Sequence, residues 1–156
     1  LEKSTAYIMT NLLEGVVQNG TGRRVKALKR PVAGKTGTSN DLYDAWFIGY
    51  TPRFITGVWV GFDEEASLGR AEQGARTASP IWLGFMKNIL KDKSVKVFQV
   101  PEGVVFAKID AETGLLPIPE SKETIFECFK EGTVPTEYTK KPDTVTEASD
   151  FYKLDM

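Results

Sequence analysis

The sequence predicts an α+β fold in which an antiparallel sheet is flanked by helices. Three observations predict it: an apolar stripe at helical spacing near the start, three consecutive β-like runs between residues 31 and 62, and a second apolar stripe opening at Ser79-Pro80. Strands that follow one another directly, with helical patterns before and after rather than between them, give an antiparallel sheet with helices packed on it.

The elements follow in order. Ile8, Met9, Leu12, Leu13, Val16 and Val17 recur three and four residues apart, so Ser4 to Gln18 reads as an amphipathic helix stopped by Asn19-Gly20 and Thr21-Gly22. Pro31 to Ser39 (PVAGKTGTS) is too glycine-rich for a helix and reads as a strand entered from a loop. Ala45 to Tyr50 (AWFIGY) and Ile55 to Phe62 (ITGVWVGF) are rich in aromatic and β-branched residues, and Thr51-Pro52-Arg53 between them has turn chemistry. The three runs make an antiparallel meander. Ser79 is placed at an N-cap and Pro80 at the first helical position, with Ile81, Trp82, Phe85, Met86, Ile89 and Leu90 forming a face that packs on the sheet. Past Pro101, Gly103 to Ile109 and Thr124 to Phe129 are two short β-like runs around the loop Asp110 to Ser121. From Glu137 the chain is polar and poor in aliphatics, which predicts a loosely attached end. The organisation read from this is a main domain over 1–96, a small β-like extension over 97–136 and a polar tail over 137–156.

Composition narrows the chemistry. A chain of 156 residues with 41% hydrophobic and 26% charged side chains supports one ordinary core. It opens on Leu1 with no signal pattern, so it reads as a segment of a longer protein, and any membrane attachment is expected through a region outside these residues. No run approaches the roughly 18 apolar residues of a membrane-spanning helix. Cys128 is the single cysteine and histidine is absent, which removes intrachain disulfides, Cys/His zinc sites and His-based triads. Catalysis is left to Ser, Thr, Lys or carboxylates, and neither a metal nor a cofactor is expected. The net charge of −1 hides an asymmetry: residues 1–100 carry 14 basic and 9 acidic side chains, and 101–156 carry 6 and 12. Arg23, Arg24, Lys26, Lys29, Arg30 and Lys35 follow one another with no acid between them. That run suits either an anionic partner or a merely solvated loop.

The segment that carries chemistry is Lys35-Thr36-Gly37-Thr38 on the first strand. The ammonium supplies a positive field, the hydroxyls donate, and Gly37 lets a ligand approach the backbone. Unpaired N–H groups on a sheet edge can also stabilise a developing oxyanion. The tripeptide KTG alone is weak, so context decides. Ala33-Gly34-Lys35-Thr36 resembles the end of a Walker A loop, but the position that needs the first glycine is Lys29, and an aromatic strand rather than a helix follows. Strict alternation puts Lys35 and Gly37 on one face and Thr36 and Thr38 on the other, so both pairs serve one cleft only on an edge or strongly twisted strand. Asp41, Asp44 and Asp63 are assigned turn and strand-end roles, and Trp46, Trp59 and Phe62 sheet packing.

The GTG turn at Gly20 to Gly22, AGKTGTSND, DAWFIGYTP and VWVGFD follow one another between Leu12 and Asp63, and the later Ala78-Ser79-Pro80-Ile81-Trp82 and Pro101-Glu102-Gly103-Val104-Val105 continue the pattern. In that order these motifs closely resemble the transpeptidase domain of class A (bifunctional) penicillin-binding proteins, over roughly residues 4–115. The resemblance implies the C-terminal part of a penicillin-recognising serine transpeptidase fold, similar to that of β-lactamases. Of the three motifs of such enzymes, S-x-x-K, S-x-N and K-T-G, only the last is present: none of the seven serines is followed three residues on by lysine.

The resemblance further implies a peptidoglycan cross-linking D,D-transpeptidase in bacterial cell-wall synthesis, the target of penicillin, with a glycosyltransferase domain upstream. A serine outside this chain would attack the penultimate D-Ala carbonyl of a stem peptide and pass the acyl group to an amine of a second strand. Lys35 would assist proton movement at the middle-motif serine. Thr36 and Thr38 would hold the substrate or β-lactam carboxylate, the Thr38 N–H would form half of the oxyanion hole, and Gly37 would let the acyl-D-Ala backbone lie alongside as an added strand. The partners implied are stem peptides, β-lactams and the helical half of the domain that bears the other two motifs, with no nucleic acid. The expected location is the extracytoplasmic face of the bacterial cytoplasmic membrane. Without a nucleophile this chain by itself is expected to be inactive and to expose apolar surface. A serine β-lactamase fragment and a non-catalytic peptidoglycan-binding module are the competing readings.

Overall fold

The structure is a computed structural model that describes residues 1–69 and 72–141. The chain divides into two compact units, Leu1–Val104 and Val105–Met156.

In the first unit, helix α1 spans Lys3–Asn19 and ends at the glycine turn read from the sequence, where the N–H groups of Gly20 and Gly22 both donate to the Val16 carbonyl. A 3-10 turn, Arg23–Leu28, comes next within the basic run and sends Val25 and Leu28 into the core. Strands β1 (Ala33–Thr38), β2 (Ala45–Tyr50) and β3 (Ile55–Val60) form an antiparallel sheet in the order β1-β2-β3. The β2–β3 turn is closed by the Thr51 hydroxyl, which accepts the N–H groups of Arg53 and Phe54. Helix α2 (Ala78–Leu90) packs on β2 and β3.

Alternation sorts the sheet into two faces. Ala45, Phe47 and Gly49 of β2 are buried, and Phe47 meets Trp82 of α2 edge to face at 5.2 Å. Gly49 makes room for that ring: a Cβ there would stand 3.0 Å from the Trp82 indole and closer still to Phe47. The indole N–H donates to the Thr56 carbonyl at 3.0 Å, so the largest buried side chain is also polar-satisfied. Val17, Val25, Leu28, Val32, Met86 and Leu90 complete this core. The other face carries Trp46, Ile48, Ile55 and Trp59, all of them exposed.

Two details differ from the sequence reading. Helix α2 begins at Ala78, with Thr77 at the cap position, so Ser79 lies inside the helix and its hydroxyl donates back to the Ala75 carbonyl at 2.7 Å instead of capping. Of the expected apolar stripe, Trp82, Met86 and Leu90 are buried in an i, i+4 row with Ala78, whereas Ile81 and Phe85 point outward. In α1, Val17 is buried, while Met9 and Leu12 are exposed.

The second unit holds β4 (Val104–Asp110), apart from its first residue, and β5 (Thr124–Lys130) as a two-stranded sheet with Ile109 and Cys128 inside. Asp110 closes the turn after β4, its carboxylate accepting the N–H groups of Glu112 and Thr113 and the Thr113 hydroxyl. Hydrogen bonds to the Ser121 hydroxyl first, then to these groups, hold the Asp110 carboxyl below its usual range. At the start of the polar stretch, Leu116 bridges to Tyr138, and Lys141 pairs with Glu120 at 2.8 Å. The rest of that stretch, 142–156, lies outside the described residues.

Candidate functional site

Strand β1 carries Lys35, Thr36, Gly37 and Thr38, and among the described residues it pairs with β2 alone, so it is an edge strand. The register sets Lys35 opposite Ile48 and Gly37 opposite Trp46, on the exposed face, and Thr36 opposite Phe47 and Thr38 opposite Ala45, on the core face. The alternation anticipated from the sequence is therefore present, on an edge where both rows border open space.

Each side chain has a definite setting. The Lys35 ammonium is exposed and donates to the Thr36 carbonyl at 2.9 Å. The Thr36 hydroxyl meets the Thr21 hydroxyl of the glycine turn at 2.8 Å. The Thr38 hydroxyl accepts the Gly74 N–H at 3.3 Å, which leaves its own proton free to donate. A Cβ at Gly37 would stand 3.2 Å from the Trp46 Cβ, so the bare backbone there is bordered by an indole that is 43% exposed.

The turn after β1 is braced locally. Ser39 donates its N–H to the Asp44 carbonyl, and its hydroxyl accepts the Asp44 N–H at 2.7 Å. The Asp44 carboxylate accepts the Trp59 indole N–H at 2.7 Å, which ties the turn to β3. Asp41 sits in the same turn with φ at 58°. Asp44 and Asp41 thus take the turn roles read for them, and Asp63 is exposed after β3. Trp46 and Trp59 are cross-strand neighbours with centroids 6.4 Å apart, packed on each other over the open face, while Phe62 is exposed.

Thr21 and Gly74 are the site neighbours that sequence reasoning missed. They lie 15 and 36 residues from the groups they touch, and neither carries a local signal of that contact. No group of three or more His, Cys, Asp or Glu able to hold a metal ion occurs among the described residues. A groove of about 450 Å³ between Tyr7 and Thr10 of α1 and Phe98 is lined by none of Lys35 to Thr38.

Comparison with known proteins places this arrangement. Residues 1–81 match the family described as Penicillin binding protein transpeptidase domain, and residues 100–147 match Penicillin-binding protein 1A, C-terminal domain. The chain is 46% identical over 143 residues to penicillin-binding protein 1A of Pseudomonas aeruginosa, covering 91% of this chain and 17% of that protein. It is 42% identical over 138 residues to penicillin-binding protein 1A of Vibrio cholerae, covering 79% of this chain and 17% of that one. The chain therefore spans about one sixth of the length of these relatives. Its structure matches the crystal structure of penicillin-binding protein 1A from Haemophilus influenzae with a TM-score of 0.79 at 33% identity, over 90% of this chain and 22% of that one.

Proposed function

This chain belongs to the penicillin-binding protein transpeptidase family, and from that premise we propose that it supplies the substrate-binding strand of a D,D-transpeptidase that cross-links peptidoglycan. The observation that carries the reading is the placement of Lys35 to Thr38 on an edge strand, with the ammonium exposed on one row and the two hydroxyls on the other.

The chemistry derives from those positions. A peptide ending in D-Ala-D-Ala lies along β1 as an added strand, with Gly37 giving its backbone close approach. Its terminal carboxylate is held by the hydroxyls of Thr36 and Thr38, and a β-lactam carboxylate takes the same place. A serine outside this chain attacks the penultimate carbonyl; the Thr38 N–H stabilises the oxyanion that forms, a donor typically worth about 100 to 1,000-fold in rate. Lys35 supplies positive potential and a proton donor where the attacking and departing groups exchange their proton. The terminal D-Ala leaves, and an amine of a second strand takes the acyl group. Since no serine here is followed three residues on by lysine, the chain alone forms no penicillin adduct.

The reaction site is the extracytoplasmic face of the bacterial cytoplasmic membrane, where peptidoglycan is built, with attachment through a region outside these residues. No helix among the described residues is long and apolar enough to cross a membrane. In an enzyme containing this chain, Lys35→Ala is expected to slow penicillin acylation by about 100-fold or more, near 3 kcal/mol, with the melting temperature unchanged. Thr38→Val weakens carboxylate recognition yet leaves some acylation, because its N–H stays. Wild-type acylation by the Lys35 variant would remove the role assigned here.

A further inference from the structure

We infer that Thr21 of the glycine turn is a positioning residue for the carboxylate subsite: its hydroxyl donates to that of Thr36 and so aims the Thr36 proton at the substrate or β-lactam carboxylate. This rests on the transpeptidase reading, which seats that carboxylate on Thr36 and Thr38, and adds to it a residue from outside the strand.

The turn presents Thr21 from a fixed frame. Gly20 and Gly22, on either side of it, both donate their N–H groups to the Val16 carbonyl, and their own carbonyls accept the N–H groups of Arg23 and Val25. Both glycines are closely packed: a Cβ at Gly20 would stand 3.0 Å from the Val16 carbonyl oxygen, and one at Gly22 would stand 3.3 Å from that oxygen and from the Val17 side chain. Val17 and Val25, which flank the turn, are buried in the core. Thr21 itself is exposed, and its branched Cβ restricts its rotamers. Among the described residues its hydroxyl has one hydrogen-bond partner, the Thr36 hydroxyl at 2.8 Å.

The chemistry of two hydroxyls fixes the direction of that bond. A threonine hydroxyl has one proton and two acceptor sites. Either of the two can be the donor while the subsite is empty. A carboxylate only accepts, so once it is seated the Thr36 proton goes to it, and the proton between the two hydroxyls has to come from Thr21. A hydroxyl that accepts a hydrogen bond donates a stronger one, so the relay from Thr21 through Thr36 favours a charged acceptor over a neutral one. Thr38 shows the same arrangement with its direction already set. Its hydroxyl accepts the Gly74 N–H at 3.3 Å, a group that can only donate. Both subsite hydroxyls thus have an acceptor site filled from outside β1, and each keeps its proton to give. The glycine turn does not need the Thr21 hydroxyl to close, because its backbone bonds close it without any side chain.

The test uses an enzyme containing this chain and two acylating agents, benzylpenicillin and its methyl ester, which lacks the carboxylate charge. The quantity read is the ratio of their second-order acylation rates within each variant, so any loss of folded protein cancels. Thr21→Val, which keeps the branched shape and removes the hydroxyl, is expected to lower the ratio about fivefold with the melting temperature unchanged. Thr21→Ser, which keeps the hydroxyl, should restore the ratio to within about twofold of wild type. Thr21→Ala repeats the measurement if the valine variant misfolds. Thr36→Val should lower the ratio at least as far, and Thr21→Val added to it should have no further effect, because Thr21 acts only through Thr36. Acid and ester slowed alike in the Thr21 variants, or neither slowed, overturns the inference and leaves Thr21 a contact of the fold. Thr36→Val keeps the two claims apart: an unchanged ratio in that variant sinks the seating of the carboxylate on Thr36 and the inference with it, whereas a lowered ratio there beside an unchanged one in the Thr21 variants sinks only the inference.

Discussion

Gly74→Ala probes how closely the site strand is buttressed. Gly74 is buried in the turn leading into α2, its N–H donates to the Thr38 hydroxyl, and an added Cβ would stand 2.6 Å from the Gly37 carbonyl oxygen and still nearer that of Trp46. An ordinary carbon–oxygen contact is about 3.3 Å, so the turn or β1 must yield by about 0.7 Å or more. Both neighbours are backbone and cannot swing aside. Overpacking of this kind costs about 1 to 3 kcal/mol, and loosening the hydrogen bond to Thr38 adds about 0.5 to 1.5. The expected loss is about 2 to 4 kcal/mol of stability. A displacement of that size at Gly37 and Thr38 also disturbs the acylation geometry, for which a slowing of about 10 to 100-fold is expected. Gly84→Ala is the matched control: it lies in α2 with nothing within 4 Å, so the same substitution should stabilise by up to about 1 kcal/mol and leave acylation alone. Thermal unfolding and fluorescent-penicillin acylation of an enzyme containing this chain measure both. If Gly74→Ala melts and reacts like Gly84→Ala, the close packing of the turn against β1 is wrong.

Three further outcomes are expected. Trp82→Ala removes the centre of the core and orphans the Thr56 carbonyl, which should cost about 3 to 5 kcal/mol in urea unfolding, whereas Trp82→Phe should cost clearly less. Asp110, with its carboxyl held below the usual range, contributes stability that is present above its unfolded value near 3.9 and lost as pH falls through the lower folded value. Amide exchange at Glu112 and Thr113 should accelerate over that acid interval, and in Asp110→Asn the pH dependence should vanish. Glu14 is pushed the other way, its carboxyl raised by burial, so stability falls as pH rises from its unfolded value through the folded one. Glu14→Gln should then raise the melting temperature at pH 7 and not at pH 4, and an equal effect at both would point to lost packing instead.

The meander is legible because period-two patterning and the Thr51-Pro52-Arg53 turn leave few alternatives: β2 occupies the predicted Ala45–Tyr50. The end of α1 is legible because Gly20 and Gly22 supply the donors that close on Val16. Ser79-Pro80 misleads by two residues at the helix start, because a serine before proline fits an N-cap by type, yet here the turn at Gln73 to Thr77 already delivers the chain in helical conformation. Ile81 and Phe85 show the limit of counting apolar positions: the core takes Ala78, Trp82, Met86 and Leu90, with Leu83 and Ile89 packed beside them, and leaves these two outside. Within the site, local sequence names the strand, but not the hydroxyl partners of Thr36 and Thr38, which depend on where the glycine turn and the Gly74 turn come to rest. The basic run reads from sequence as anion-seeking or merely solvated, and the regular 3-10 geometry that separates its inward and outward rows carries no signature beyond Val25 and Leu28.

The three tryptophans are distributed so that the molecule carries its own optical probes. Trp82 is sealed in the core, while Trp46 and Trp59, 43% and 46% exposed, stand on the Lys35 face with Trp46 opposite Gly37. Collisional quenchers such as iodide should therefore reach two emitters and spare the third. Anything that settles beside Gly37 should shield the accessible pair and shift their emission to the blue, without touching the buried signal that reports on global unfolding.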